Sequence, residues 1–196
     1  MNQTAAGNTL FPIFLKLEHF HVLLVGGRLV ALEKLQAILA NAPATPVRVV
    51  ALEFHKDFLA LARTSPHITI EQKKYEPADM EDVDLVITAV NNPDISKQIF
   101  EDAHQRKIFI NTADTPHLCD FYLGSIVQKG SLKIAISTNG KSPTMAKRLK
   151  EWLYHVLPDN LETSLENLHR IREKIKGDFT EKVKKLNQLT GNMLID

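Results

Sequence analysis

The stretch HVLLVGGRLVALEKLQAILA (21–40) decides the fold. Its first five residues are apolar, β-rich and unbroken, which is how a strand buried on both faces reads. Gly26-Gly27 breaks the run. Leu29, Leu32, Leu35, Ala37, Ile38 and Leu39 then recur at helical spacing until Asn41-Ala42-Pro43 stops the helix. Outward from this unit the pattern repeats. VRVVAL (47–52) is a second buried strand, and Phe54 to Ala62 a short helix. ITIEQKKY (68–75) alternates, as an edge strand does. LVITAV (85–90) is followed by a helix through Ile95, Ile99, Phe100 and Ala103, and IFINTA (108–113) is a fifth strand. Alternating β and α elements predict an α/β domain over residues 1–116, with a parallel sheet and helices on both faces.

After Asp114 the rhythm changes. FYLGSIVQ (121–128) and LKIAIST (132–138) flank Lys129-Gly130-Ser131, a hairpin signature, so residues 117–142 form a β-rich segment. Such a pair needs neighbours, and another subunit can supply them. Ser142-Pro143 starts a helix, with Ser as N-cap and Pro in the first turn. Met145, Leu149, Trp152 and Leu153 share one face of it, and Pro158 ends it. Leu161, Leu165, Leu168, Ile171 and Ile175 continue at helical spacing. Gly177-Asp178 interrupts, and Val183, Leu186 and Leu189 resume the pattern, giving a helical region over 143–196.

The 196 residues carry 24 Lys+Arg against 23 Asp+Glu, a net charge of +1. That balance argues against a general nucleic-acid binder. One cysteine, Cys119, excludes a disulfide framework and a multi-cysteine metal cluster. No apolar run approaches the ~18 residues of a membrane span, so no membrane association is expected. MNQTAAGNTL lacks a basic end followed by an apolar stretch, so the expected location is cytoplasmic.

Three places could carry chemistry. The first is the turn after strand one. Glycines between a parallel strand and a helix let backbone N–H groups approach a pyrophosphate at the helix N-terminus. Gly26-Gly27-Arg28-Leu29-Val30-Ala31 fits G-x-G-x-x-A, except that Arg28 occupies the second key glycine. A tight turn and nothing more is the alternative. Glu53, at the end of strand two, stands where an acid binds ribose hydroxyls, which favours NAD over NADP. It also reads as a solvated carboxylate at a helix start. The second place is Asp114, at the carboxyl end of strand five, where ligands of open α/β sheets bind. From composition alone, an Asp capping a turn before Pro116 explains it more readily. The third is Phe121–Lys150, which has no acidic residue but holds Lys129, Lys133, Lys141, Lys147, Arg148 and Lys150. Its loop Ser137-Thr138-Asn139-Gly140-Lys141-Ser142 leads into a helix N-terminus and would suit a polyanion. A solvated basic face is the other reading. The eight histidines show no close metal-ligand spacing, so no metal site is expected.

LFPIFLKLEHFHVLLVGGRLVALEKL (10–35), VVALEF (49–54), NTADTP (111–116) and FYLGSIVQKGSLKIAISTNGKSPTMAKRLKEWL (121–153) resemble, in this order, the precorrin-2 dehydrogenase / sirohydrochlorin ferrochelatase family. This family includes the N-terminal module of siroheme synthase. The resemblance implies an NAD-binding Rossmann domain, a β-rich dimerisation segment and a helical domain, assembled as a homodimer. It implies NAD-dependent oxidation of precorrin-2 to sirohydrochlorin, with Fe2+ inserted afterwards by some members to give siroheme. Asp114 would match the aspartate of proton transfer. Leu29, Val30, Leu52, Glu53 and Val90 would line the NAD site beside Gly26, Gly27 and Arg28. Asn111, Thr138, Asn139, Gly140, Lys141 and Ser142 would face the tetrapyrrole. Three positions depart from the family: Arg28 for a glycine, Val90 for a common Thr, and Gly124 for a common Pro. A chelatase without dehydrogenase activity, and a non-catalytic tetrapyrrole- or nucleotide-binding protein of the same fold, are the alternatives.

Overall fold

The computed structural model describes residues 7–176 and 178–191. Contacts divide the chain into two units, Met1–Leu123 and Gly124–Asp196. In the first, strands β1 (Val22–Val25), β2 (Val47–Ala51), β3 (Ile68–Gln72), β4 (Leu85–Thr88) and β5 (Phe109–Thr112) form one sheet in the order β3-β2-β1-β4-β5. All four pairings are parallel. Helices α1 (Leu29–Asn41), α2 (Lys56–Ala62) and α3 (Pro93–Gln105) connect them. The strand order reverses between β1 and β4, and ligands bind beyond the carboxyl ends of strands at such a point.

The β1 residues are buried on both faces because alternate side chains enter different cores. Val22 and Leu24 pack with Leu35, Ile38 and Phe58. Leu23 and Val25 pack with Met80, Ile99 and Ile110. This two-sided burial explains why the sequence reads as a continuous apolar run rather than an alternation. Strand β3 lies at an edge, as its alternating sequence implies, and its residues are half-buried or exposed. Strands β2, β4 and β5 end one or two residues earlier than their apolar runs do. Leu52, Ala89, Val90 and Ala113 therefore lie in the connections at the carboxyl edge.

In the second unit β6 (Ser125–Lys129) and β7 (Leu132–Ile136) form the hairpin, with Gly130 at φ +56 in its turn. Helix α4 (Pro143–Val156) packs on β6, followed by α5 (Leu161–Lys174) and α6 (Phe179–Thr190). Gly124 lacks a side chain where a Cβ would lie 2.8 Å from the carbonyl oxygen of Ile136, so the strand enters the hairpin at close quarters. The hairpin turn is held by α5. The Ser131 amide and hydroxyl both donate to Glu162, the hydroxyl at 2.7 Å. Those bonds hold the Glu162 carboxyl below its ordinary range.

Two outcomes follow from this packing. Leu35 is fully buried and Leu52 is two-thirds exposed, so Leu35→Ala costs about 2–5 kcal/mol of stability and Leu52→Ala stays within about 0.5 kcal/mol, read by urea denaturation. Glu162 has a folded-state pKa below its unfolded value, so its contribution is present near neutrality and disappears as pH falls through the folded midpoint. The gap in melting temperature between wild type and Glu162→Gln accordingly closes on acidification. A gap constant from neutral pH into the acid range contradicts this.

Candidate dinucleotide and substrate sites

The Gly26–Gly27 turn is wedged between its two neighbouring connections. Gly26 sits at φ +126, and a Cβ there would lie 2.4 Å from the carbonyl oxygen of Ala89, just past β4. A Cβ on Gly27 would lie 2.3 Å from the carbonyl oxygen of Glu53 and 2.7 Å from the Phe54 ring, just past β2. The amide of His55 donates to the Gly27 carbonyl at 2.8 Å. Backbone meets backbone on both sides of β1, and α1 starts immediately behind. Ala31, third of the small residues in the turn pattern, is fully buried and lets α1 approach the sheet.

Arg28 does not obstruct this turn. Its backbone is extended, φ −94 and ψ −164, which any L residue adopts. Its side chain leaves toward β2, where Nη2 donates to Glu53 Oε2 at 2.7 Å. Both side chains are more than two-thirds exposed, and such pairs contribute ~0–1 kcal/mol. The pair orients the guanidinium without locking it. No side chain caps the N-terminus of α1, and its first turn carries no acid. The first amides of α1 thus favour an anion. Leu29, Val30 and Leu52, next to the pair in sequence, are exposed apolar side chains. Val90 is half-buried and packs on the second core. A glycine cradle, a bare helix N-terminus, an acid after β2 and exposed apolar side chains fit the pyrophosphate, ribose and base of a dinucleotide.

At the carboxyl ends of β4 and β5, Thr88 and Thr112 are register partners. Their hydroxyls are buried without a hydrogen-bond partner among the described residues. Asp114 follows in a turn closed by the Thr115 amide on the Thr112 carbonyl at 3.3 Å. It sits at φ +57, a conformation Asp tolerates better than most residues. Its carboxylate is exposed at the strand end.

Asn111, one turn earlier, is buried and otherwise engaged. Its amide donates to the Phe121 carbonyl at 2.8 Å and to Cys119 Sγ at 3.6 Å. Cys119 in turn accepts from the Thr112 amide and donates to the Thr112 carbonyl, both at 3.2 Å. Asp120 accepts from the Ile110 amide at 3.0 Å and pairs with His104 at 2.9 Å. These bonds fasten residues 119–121 along β5. Burial pushes the Cys119 thiol up, opposed by the Thr112 backbone bond.

The Ser137–Ser142 loop lies in the second unit. Asn139 at φ +54 and Gly140 at φ +74 turn the chain, and Ser142 caps α4 by accepting from the Met145 amide. The amide of Asn139 donates to Ser137 Oγ, that of Lys141 to the Thr138 carbonyl, and that of Ser142 to Thr138 Oγ1. An anion here would meet the side chains of Thr138, Asn139 and Lys141 more than the backbone. The basic stretch is also partly neutralised. Lys129 donates to Asp159 at 2.8 Å and to the Leu157 carbonyl, with the Tyr154 ring 5.0 Å away. Arg148 pairs with Glu151 at 2.9 Å. Lys141, Lys147 and Lys150 remain exposed with no ion pair among the described residues. There, too, no group of three or more His, Cys, Asp or Glu side chains is gathered for a metal.

Comparison with known proteins agrees with this geometry. A family described as "Putative NAD(P)-binding" matches residues 13–125. The chain belongs to that family. A second family, described as sirohaem biosynthesis protein central, matches residues 129–153. Siroheme synthase of Psychrobacter cryohalolentis is 37% identical over 182 residues, covering 92% of this chain and 33% of that protein. Siroheme synthase 2 of Pectobacterium atrosepticum is 33% identical over 168 residues, covering 86% of this chain and 36% of that protein. The chain thus spans about a third of the length of the curated relatives it matches. Among solved structures, SirC, a precorrin-2 dehydrogenase, has the same fold, with a TM-score of 0.72 at 22% identity over 95% of this chain and 90% of that one.

Sequence reading missed three features: the backing of Gly27 by Phe54 and His55, the two orphan threonine hydroxyls, and the Arg28–Glu53 pair. For the last, a signal existed, since opposite charges stand in successive βα turns. The engagement of Cys119 predicts a slow thiol. Iodoacetamide modifies this lone cysteine at pH 8 at least roughly tenfold more slowly in the folded chain than in urea. Equal rates would mean that the Asn111–Cys119 fastening is open in solution.

Proposed function

We propose that this chain oxidises precorrin-2 to sirohydrochlorin with NAD, and that Fe2+ is then inserted as a second substrate to give siroheme. The observation that carries the reading is the glycine cradle between Ala89 and Glu53, in a chain whose matched relatives are named siroheme synthase and whose structural neighbour is named precorrin-2 dehydrogenase.

In this reading Gly26, Gly27 and the first turn of α1 hold the pyrophosphate. Glu53 accepts from the ribose hydroxyls of the adenosine half, while Leu29, Val30 and Leu52 flank its base. NAD held by these residues would supply the hydride acceptor. Loss of hydride from the macrocycle leaves a proton to be removed. Asp114, exposed at the end of β5, is the carboxylate that takes it. The same carboxylate serves iron insertion, in which pyrrole nitrogens give up protons, and the macrocycle itself holds the metal. Lys141, with Thr138, Asn139, Gly140 and Ser142, receives substrate carboxylates. Asn111 acts on the cleft through residues 119–121, which it fastens.

The reading includes a homodimer formed through the second unit. Trp152, Tyr154 and Val156 on α4 are all more than half exposed, and β6–β7 is a sheet of two strands among the described residues. The cytoplasm is the proposed compartment.

Incubation with precorrin-2 and NAD, followed by Fe2+, tests the assignment by absorption spectroscopy. The expected result is oxidation first and chelation on addition of iron. Asp114→Asn is expected to lower turnover at least roughly a hundredfold with an unchanged circular dichroism spectrum. Chelation without oxidation identifies a chelatase only, and neither change identifies a binding protein. Full activity of Asp114→Asn removes this residue from the mechanism.

A further inference from the structure

An acid after β2 binds the adenosine ribose hydroxyls and repels a phosphate at the 2′ position. Alone, Glu53 would select the unphosphorylated dinucleotide. This chain places a guanidinium against that acid, from the glycine turn itself. We propose that Arg28 is a cofactor-specificity determinant that makes the site accept a 2′-phosphorylated nicotinamide dinucleotide alongside the unphosphorylated one. This inference rests on the dinucleotide reading of the site.

Four observations support it. First, Arg28 stands at the second key position of the turn in an extended backbone, so its side chain departs without strain and leaves the helix N-terminus uncovered. Second, it departs toward the ribose-binding acid. With Nη2 2.7 Å from Glu53 Oε2, any group on the ribose 2′ oxygen held by Glu53 comes within reach of the guanidinium. Third, one positive charge beside one negative charge cancels the repulsion that otherwise excludes the phosphate. A guanidinium has five N–H donors in a planar fork, and the Glu53 contact uses one, leaving others for phosphate oxygens. Fourth, the Arg28 side chain is 77% exposed, so it can pivot between carboxylate and phosphate at little cost. With the unphosphorylated dinucleotide, Arg28 stays on Glu53 and the carboxylate's second oxygen serves the ribose. With the phosphorylated one, the fork turns to the phosphate.

Titration of the chain with NADH and NADPH, read by nicotinamide fluorescence, measures the two affinities without turnover. The quantity is the affinity ratio of NADPH to NADH in wild type and in Arg28→Ala. We expect wild type to bind both, and Arg28→Ala to shift the ratio at least fivefold toward NADH. In Glu53→Gln the ratio moves toward NADPH. Circular dichroism verifies that these exposed substitutions leave the fold intact. A shift smaller than fivefold in Arg28→Ala, or wild type that binds NADH and shows no detectable NADPH binding, overturns the inference and leaves the dinucleotide reading standing. Binding of neither nucleotide to wild type overturns both.

Discussion

The carboxyl edge of the sheet depends on one constraint, the contact of the Gly26–Gly27 backbone with the backbone of its two neighbours. A Cβ on either residue would lie well inside contact distance of a carbonyl oxygen, that of Ala89 on one side and that of Glu53 on the other. Because the obstacle on each side is backbone, no rotamer change relieves it. The absence of two side chains lets the connections after three neighbouring strands, β2, β1 and β4, close on one another, and α1 starts beside the point where the strand order reverses. The same contact brings Glu53 within reach of a residue in the glycine turn. The pairing of Arg28 with Glu53 is thus a product of the fold, though a weak one energetically.

This explains what was legible in the sequence. Strand β1 could be read because Val22–Val25 feeds two cores at once, which no surface strand does. The edge position of β3 could be read because its one-sided burial leaves an alternation. The cap of α4 could be read because Ser142 and Pro143 act locally. Contacts between residues distant in sequence were not legible. In one dimension Arg28 is only a replacement for the second key glycine, because its direction depends on the extended backbone at that position and on Glu53 twenty-five residues later. Nor was it legible that the Asn111 amide is engaged by a segment that returns to β5 ten residues on.

The second unit shows how composition misleads about charge. By composition the acid-free stretch from Phe121 to Lys150 reads either as a site for a polyanion or as a solvated basic face. Lys129 is instead taken up by Asp159 and the Leu157 carbonyl, where it closes the end of α4 against the hairpin. The acids that balance it lie just past the stretch, so a count bounded at Lys150 omits them. Asp159 is held below its usual range by this lysine. The cationic surface left over is Lys141, Lys147 and Lys150, one at the loop and two on the first turns of α4.

Strand β5 and the turn after it divide the labour among Asn111, Thr112 and Asp114. Asn111 and Thr112 face inward and hold Cys119 and Phe121. Asp114 is left outward by a left-handed turn that a β-branched residue would resist. In the role proposed for Asp114, proton exchange with a substrate, the carboxylate has to be exposed when the site is open, while its position must not wander. The closed turn from Thr112 to Thr115 meets the second demand without desolvating the carboxylate. The unpartnered hydroxyls of Thr88 and Thr112 lie just beneath, where unmatched polar atoms cost stability. A fold that keeps such a cost at the carboxyl edge, and nowhere else among the buried side-chain polar atoms of the described residues, places its unmatched polar chemistry where the strands end.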